Sequence, residues 1–249
     1  MLDEHKFLFD LNGFLIIENV LSKDQCEQLK EQIYLMINDP LKLPAHARAV
    51  PGGALAELID HPVVEDVLHE IIGPYVRLDY GYVLWREKGQ RHPMDLHHGG
   101  PIADPMFHYH VTNGQIRSGL TRVTFELNDV EAADGGTCFL PGSHKANYAI
   151  HPKHRLLEPE MQSPFLYRTA CPAGSIVIFS ENTAHGGPHW QNAAKPRVAV
   201  FYSYNHVGMQ FHRFRVPDEV MNSLTEHQRA YLRDVWVHDF DKEIDNTGA

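Results

Sequence analysis

Apolar residues recur at two different periods along this chain, and the change falls near Gly73. Before it the spacing is mostly helical. Ser22 to Gln25 form a capping box, in which the serine and glutamine side chains satisfy the first free amides of a helix, and Cys26, Leu29, Ile33 and Ile37 then repeat at helical intervals until Pro40. A second helix is expected from Pro62, whose fixed φ suits a first turn, through Val63, Val67, Leu68 and Ile71 to Gly73. One short buried strand, Phe14 to Glu18, precedes them, and the stretch from Pro44 to Gly53, which carries Arg48, reads as loop. Beyond Gly73 the pattern alternates. Val76, Leu78, Tyr80 and Tyr82 are expected to share one strand face; Val123, Phe125 and Leu127 oppose Thr124 and Glu126. Gly174 to Phe179 and Pro196 to Tyr204 are further strands, with turn signals at Asp134-Gly135-Gly136 and Pro141-Gly142. A second capping box at Thr225 to Gln228 opens a helix expected to run through Tyr231 and Val235.

Many short strands framed by helices, without regular strand–helix alternation, predict a mainly β protein: an antiparallel barrel or jelly roll with helices outside. At 249 residues, with no linker or repeat, one domain spanning residues 1–249 is expected. The hydrophobic content of 43% fits a globular chain, and the net charge of -10 argues against a nucleic-acid polymer as partner. Cys26, Cys138 and Cys171 have no disulfide or metal spacing and read as buried thiols of a reducing cytoplasm. Neither a secretory leader nor a membrane span is evident. Oligomeric state is not legible.

The chemistry concentrates at two short words, His97-His98-Gly99-Gly100-Pro101 and His185-Gly186-Gly187-Pro188. Oxygen-activating iron sites often take two histidines and one carboxylate on one face of the metal, the first pair written His-x-Asp/Glu and the second histidine much later. On a strand, His97 and position 99 share one face, but a glycine has no side chain with which to ligate. His98 with Gly100 is the competing register, and Asp95, on the parity of His97, or Asp104 are rival oxygen donors. Arg197, opening the strand after His185, can clamp a carboxylate through two parallel hydrogen bonds. Arg86, Lys88 and Arg91 form a cationic stretch that is either solvated loop or, with Arg48, an anchor for an anionic substrate group. His108 and His110 are pocket or wall residues, Tyr82, Trp85, Phe107 and Tyr109 are cavity lining or core, and His144 organises a loop.

Gly13-Phe14-Leu15-Ile16, Gly135-Gly136-Thr137, Phe139-Leu140-Pro141-Gly142-Ser143-His144, His185 and Arg197 together resemble the phytanoyl-CoA dioxygenase-like branch of iron(II)/2-oxoglutarate oxygenases. The resemblance implies a double-stranded β-helix (jelly-roll or cupin-like), Fe(II) on His97 and His185, 2-oxoglutarate held by Arg197 with Thr137, and O2 as co-reactant. The family's first motif is commonly His-x-Asp-Gly-Pro, so Gly99 stands where its aspartate would be. That departure is similar to iron/2-oxoglutarate halogenases, in which a small residue leaves room for halide. The expected activity is therefore oxidative C–H functionalisation of a small soluble molecule, carrying an anionic group if the cationic stretch is an anchor: halogenation with chloride or bromide first, with Gly99 marking the halide or water position, and hydroxylation second. A non-catalytic ligand-binding barrel is the alternative from another class.

Overall fold

Alternation along β11 (Arg197–His206) sets the architecture. Val198, Val200, Tyr202 and Tyr204 join a core beneath the helices, while Ala199 and Phe201, on the other face, pack with Leu84 and Tyr82. In the computed structural model, which describes residues 1–90, 94–99, 107–157 and 163–235, this strand lies inside a five-stranded antiparallel sheet. The other members are β1 (Phe14–Ile17), β2 (Val76–Arg86), β6 (Thr121–Glu126) and β9 (Ser175–Ser180), in the order β1-β9-β6-β11-β2. Both faces are buried, so each strand carries two chemistries at period two: apolar toward the helices, mixed toward the interior.

The helix side is covered by α1 (Asp3–Asn12), α2 (Lys23–Asn38) and α3 (Pro62–Ile71), with short α4 (Asp218–Met221) and α5 (Glu226–Tyr231) from the C-terminal segment. Both capping boxes form as expected, at Ser22 and at Thr225. Helix α5 stops at Tyr231, earlier than the expected Val235, because Leu232 leaves helical geometry. Cys26, Leu29 and Ile33 of α2 and Val64, Val67, Leu68 and Ile71 of α3 are buried against Val123, Phe125, Ile176 and Ile178 of the sheet. Among the described residues, no helix is long and apolar enough to cross a membrane.

A second antiparallel sheet faces the interior side: β3 (Met94–His97), β10 (His185–Gly187), β7 (Cys138–Phe139) and β8 (Tyr167–Arg168), in the order β3-β10-β7-β8. Phe14 of the first sheet stacks on Phe139 of the second at 4.4 Å, with Val177 and Phe179 completing the seal. Two facing antiparallel sheets with helices outside make the jelly roll. A small hairpin of β4 (His110–Thr112) and β5 (Gln115–Arg117) stands apart.

One expectation about β2 is corrected. Val76 and Leu78 belong to the helix-side core, but Tyr80 and Tyr82 face the interior cavity. The pairing slips there: Ser203 opposes Tyr80 and Tyr204 opposes Leu78, so Asp79 is an extra residue on β2. Such a bulge reverses side-chain parity beyond it. Asp79 is fully buried and accepts from Arg77, the amides of Phe211 and His212 and the His212 ring, which holds the bulge in place.

Two glycines separate backbone strain from steric contact. Both have left-handed φ, +93 at Gly135 and +75 at Gly114, but a Cβ would lie 2.1 Å from the His189 carbonyl oxygen at Gly135 and meet nothing within 4 Å at Gly114. In urea unfolding, Gly114→Ala should cost about 1 kcal/mol from the conformation alone, and Gly135→Ala about two to three times as much. Equal losses would mean that the turn does not pack against His189.

Candidate active site

The pairing of β10 with β3 sets His185 opposite His97. Their ring centroids are 4.1 Å apart. Each ring is oriented by a backbone carbonyl: Nδ1 of His97 lies 3.0 Å from the Asp95 oxygen, and Nδ1 of His185 lies 2.7 Å from the Thr183 oxygen. A carbonyl only accepts, so each Nδ1 donates, and in a neutral ring that leaves the Nε2 lone pair for a cation, which is how metal-binding imidazoles are usually fixed. Burial pushes the His185 imidazole down to about 3 against the opposing pull of Glu181, so this ring is neutral at physiological pH.

Glu181 was not singled out in the sequence. It follows β9 on the parity of Val177 and Phe179, which aims it inward, and it is 4% exposed. Its Oε2 lies 3.5 Å from Nε2 of His185 and 3.6 Å from Nε2 of His98, while Oε1 accepts from Nε of Arg122 at 2.5 Å. Burial pushes this carboxyl up, but the Arg122 charge, helped by His185 and His98, outweighs it and holds the group at about 2. Donor atoms of His97, His98 and Glu181 all lie within 4.8 Å of one another, so the donor set fits a metal ion.

His97 and His185 open onto a cavity of about 410 Å³ between the sheets, lined also by Arg86, Arg122, Thr137 and Arg197 among others. Arg197 is 2% exposed; its Nε and Nη2 bond Glu126, and Nη2 also donates to the Thr137 hydroxyl at 2.9 Å. Nη1 takes no part in those bonds. Burial opposes the Arg197 charge, but the Glu126 carboxylate more than compensates and raises its pKa above the usual range. Arg122 also donates to the Tyr82 hydroxyl at 3.2 Å, and Tyr82 stacks on Phe201 at 4.6 Å. A larger groove, about 770 Å³ beside Ser22 and Asn128, carries neither histidine nor arginine.

The other expected residues divide. Arg86 and Thr137 line the cavity, and Arg86 pairs in register with Arg197. Arg48 is exposed and bonds the Leu43 carbonyl; His110 is exposed on β4, and half-buried His108 meets it through a backbone oxygen, so none of the three lines the cavity. Arg91, Gly100, Pro101 and Asp104 lie outside the described residues. Asp95 is exposed, and its Oδ1 accepts from the Leu157 amide at 3.2 Å. Of the aromatics, Tyr82 lines the cavity, whereas Trp85 packs on the helix side against Tyr34 at 5.6 Å. His144 is buried and bonds the Asp10 carbonyl, consistent with an organising role.

Gly99 departs from its expected geometry. Strand β3 ends at His97, and His98 and Gly99 follow with φ of +60 and +77, so position 99 does not share the His97 face. Its amide donates to the Asn182 carbonyl at 2.9 Å, and a Cβ there would lie 2.7 Å from Cβ of Ala184. The residue lines a separate cavity with Pro141, Tyr148 and Phe165, not the one beneath the histidines.

A family model described as phytanoyl-CoA dioxygenase (PhyH) matches residues 9–199, most of the chain. The chain belongs to the phytanoyl-CoA dioxygenase family. It is accordingly an enzyme of the dioxygenase type that works with Fe(II), 2-oxoglutarate and O2. Ectoine dioxygenase of Stutzerimonas stutzeri (strain A1501) is 24% identical over 230 residues, covering 80% of this chain and 75% of the relative. The crystal structure of HygX from Streptomyces hygroscopicus with nickel and 2-oxoglutarate bound superposes with a TM-score of 0.72 at 20% identity, over 86% of this chain and 90% of that one. EctD from S. alaskensis in its apo form gives a TM-score of 0.63 at 18% identity, over 83% and 78% of the two chains. These structural likenesses establish a shared fold.

The buried Arg197–Glu126 pair makes a stability prediction. Glu126→Gln leaves the guanidinium without its counter-charge and should cost about 3–5 kcal/mol in denaturant unfolding without cosubstrate. Adding Arg197→Met should recover most of that loss, because the unpaired charge is then gone. If the double variant is no more stable than the single one, the pair is not the unit that balances charge here.

Proposed function

We propose that the chain, as one oxygenase domain over residues 1–249, oxidises an unactivated C–H bond of a small soluble molecule, with Fe(II) on His97 and His185 and 2-oxoglutarate on Arg197 with Thr137. The observation that carries this reading is the meeting of two imidazoles, each with Nδ1 on a backbone carbonyl, and a buried guanidinium on the walls of one cavity of about 410 Å³. When bound, the metal and cosubstrate supply the oxygen activation. The chain's own part is to orient the two rings through Asp95 and Thr183 and to hold Arg197 charged beside Thr137. A cavity of this volume suits a small-molecule ligand. It also accords with the small molecules named for relatives, ectoine and the hygromycin B bound to HygX. Arg86 across from Arg197 is the residue for an anionic group on the substrate.

Hydroxylation is the favoured outcome, reversing the order suggested by the sequence. Halogenation was motivated by glycine at the expected aspartate position. The left-handed φ, the Ala184 contact and the separate cavity lined by position 99 speak against its missing side chain leaving halide space beside His97 and His185.

Anaerobic titration with Fe(II) and 2-oxoglutarate should give the weak visible charge-transfer band of the chelate, with His185→Ala abolishing it. With O2, wild type should form succinate in an iron-dependent manner. No band and no succinate would leave the non-catalytic barrel. With substrate and excess chloride or bromide, mass spectrometry should show an added oxygen; a halogen isotope pattern would restore the halogenase reading.

A further inference from the structure

We propose that Glu181 supplies the carboxylate of the metal site, reaching it from the end of β9. This rests on the reading that His97 and His185 hold the metal. The first support is distance. Glu181 Oε2 lies 3.5 Å from Nε2 of His185 and 3.6 Å from Nε2 of His98, longer than the usual range for an N–H···O bond. Donors bound about 2.0–2.2 Å from one ion stand roughly 3 Å apart when adjacent. The spacing is thus slack for a hydrogen bond and close to that of ligands sharing a metal. The second support is direction. Nε2 of His185 carries a lone pair because Nδ1 donates to the Thr183 carbonyl, so a lone pair faces a carboxylate oxygen and a cation between them satisfies both.

Arg122 is the positioning residue. Its Nε holds Oε1, which turns Oε2 toward the imidazoles, and the Tyr82 hydroxyl fixes the guanidinium in turn. A ligating carboxylate anchored by its other oxygen is the usual outer-shell arrangement of such sites. Position 99 cannot compete. An aspartate there would need φ of +77 and would drive its Cβ into Ala184. The chain has therefore moved its carboxylate from the first histidine word to the approach to the second. Two histidines, Glu181 and a two-point cosubstrate leave a single octahedral position, for O2, and none for halide.

The test is anaerobic Co(II) binding by calorimetry and visible spectroscopy, without substrate, on wild type and on Glu181→Gln, Glu181→Asp, His98→Ala and His185→Ala. Glu181→Gln should weaken Co(II) affinity at least about a hundredfold, at the top of the range for losing even an outer-shell partner, and should change the d–d spectrum. His98→Ala should change affinity less than tenfold. If Glu181→Gln does not fold, Glu181→Asp keeps the charge for Arg122 but draws the carboxylate back, and should show the same weakening. Wild-type affinity in both Glu181 variants would overturn the assignment while leaving the iron reading intact. So would a large loss confined to His98→Ala, which would make the third protein ligand an imidazole. Failure of wild type to bind Co(II) at all would instead overturn the underlying reading.

Discussion

Everything proposed for this site depends on the antiparallel register that sets His185 of β10 against His97 of β3. The two residues are far apart in the chain, and neither strand is long; only their pairing, fixed in turn by β7 on the other side of β10, brings the rings together. A shift by one residue would turn His185 to the opposite face of its sheet and remove it from the cavity. The sheet behind is held by the helix-side core, whose alternation along β6, β9 and β11 leaves Arg122, Glu126 and Arg197 no direction but inward.

The inward side is an unusual place for so much charge. Three arginines and two glutamates meet where apolar packing would be expected, and each glutamate is matched to an arginine: Glu126 to Arg197, Glu181 to Arg122. Such buried pairs contribute little to stability by themselves, because desolvation offsets their attraction. Their value is positional. Each carboxylate fixes the orientation of a guanidinium at the cavity wall, and each guanidinium turns one carboxylate oxygen in a chosen direction. The remaining positive charge suits a site that must take a dianionic cosubstrate.

Much of this was legible in the sequence. The capping boxes at Ser22 and Thr225, the helix from Pro62, and the alternation of Val123 and Phe125 against Thr124 and Glu126 depend on neighbours within a few residues, and they formed as local rules require. The family words led to His97, His185, Thr137 and Arg197, which the fold brings to one cavity. Two things were not legible, each for a non-local reason. The bulge at Asp79 reverses the parity of Tyr80 and Tyr82, and nothing near Asp79 in sequence announces its bonds to His212. The strand carrying His97 ends there, so extrapolating its parity to Gly99 failed at the two left-handed residues that follow. Glu181 could have been found by extending β9's inward parity from Val177 and Phe179 by one more step.

The decisive measurement is the crystal structure of the anaerobic Fe(II)–2-oxoglutarate complex. The account predicts iron bound by Nε2 of His97, Nε2 of His185 and Oε2 of Glu181, with Arg122 still on Oε1 and a cosubstrate carboxylate against Arg197 and Thr137. Iron bound without Glu181, or seated toward Gly99 with Arg197 remote from the cosubstrate, would contradict it.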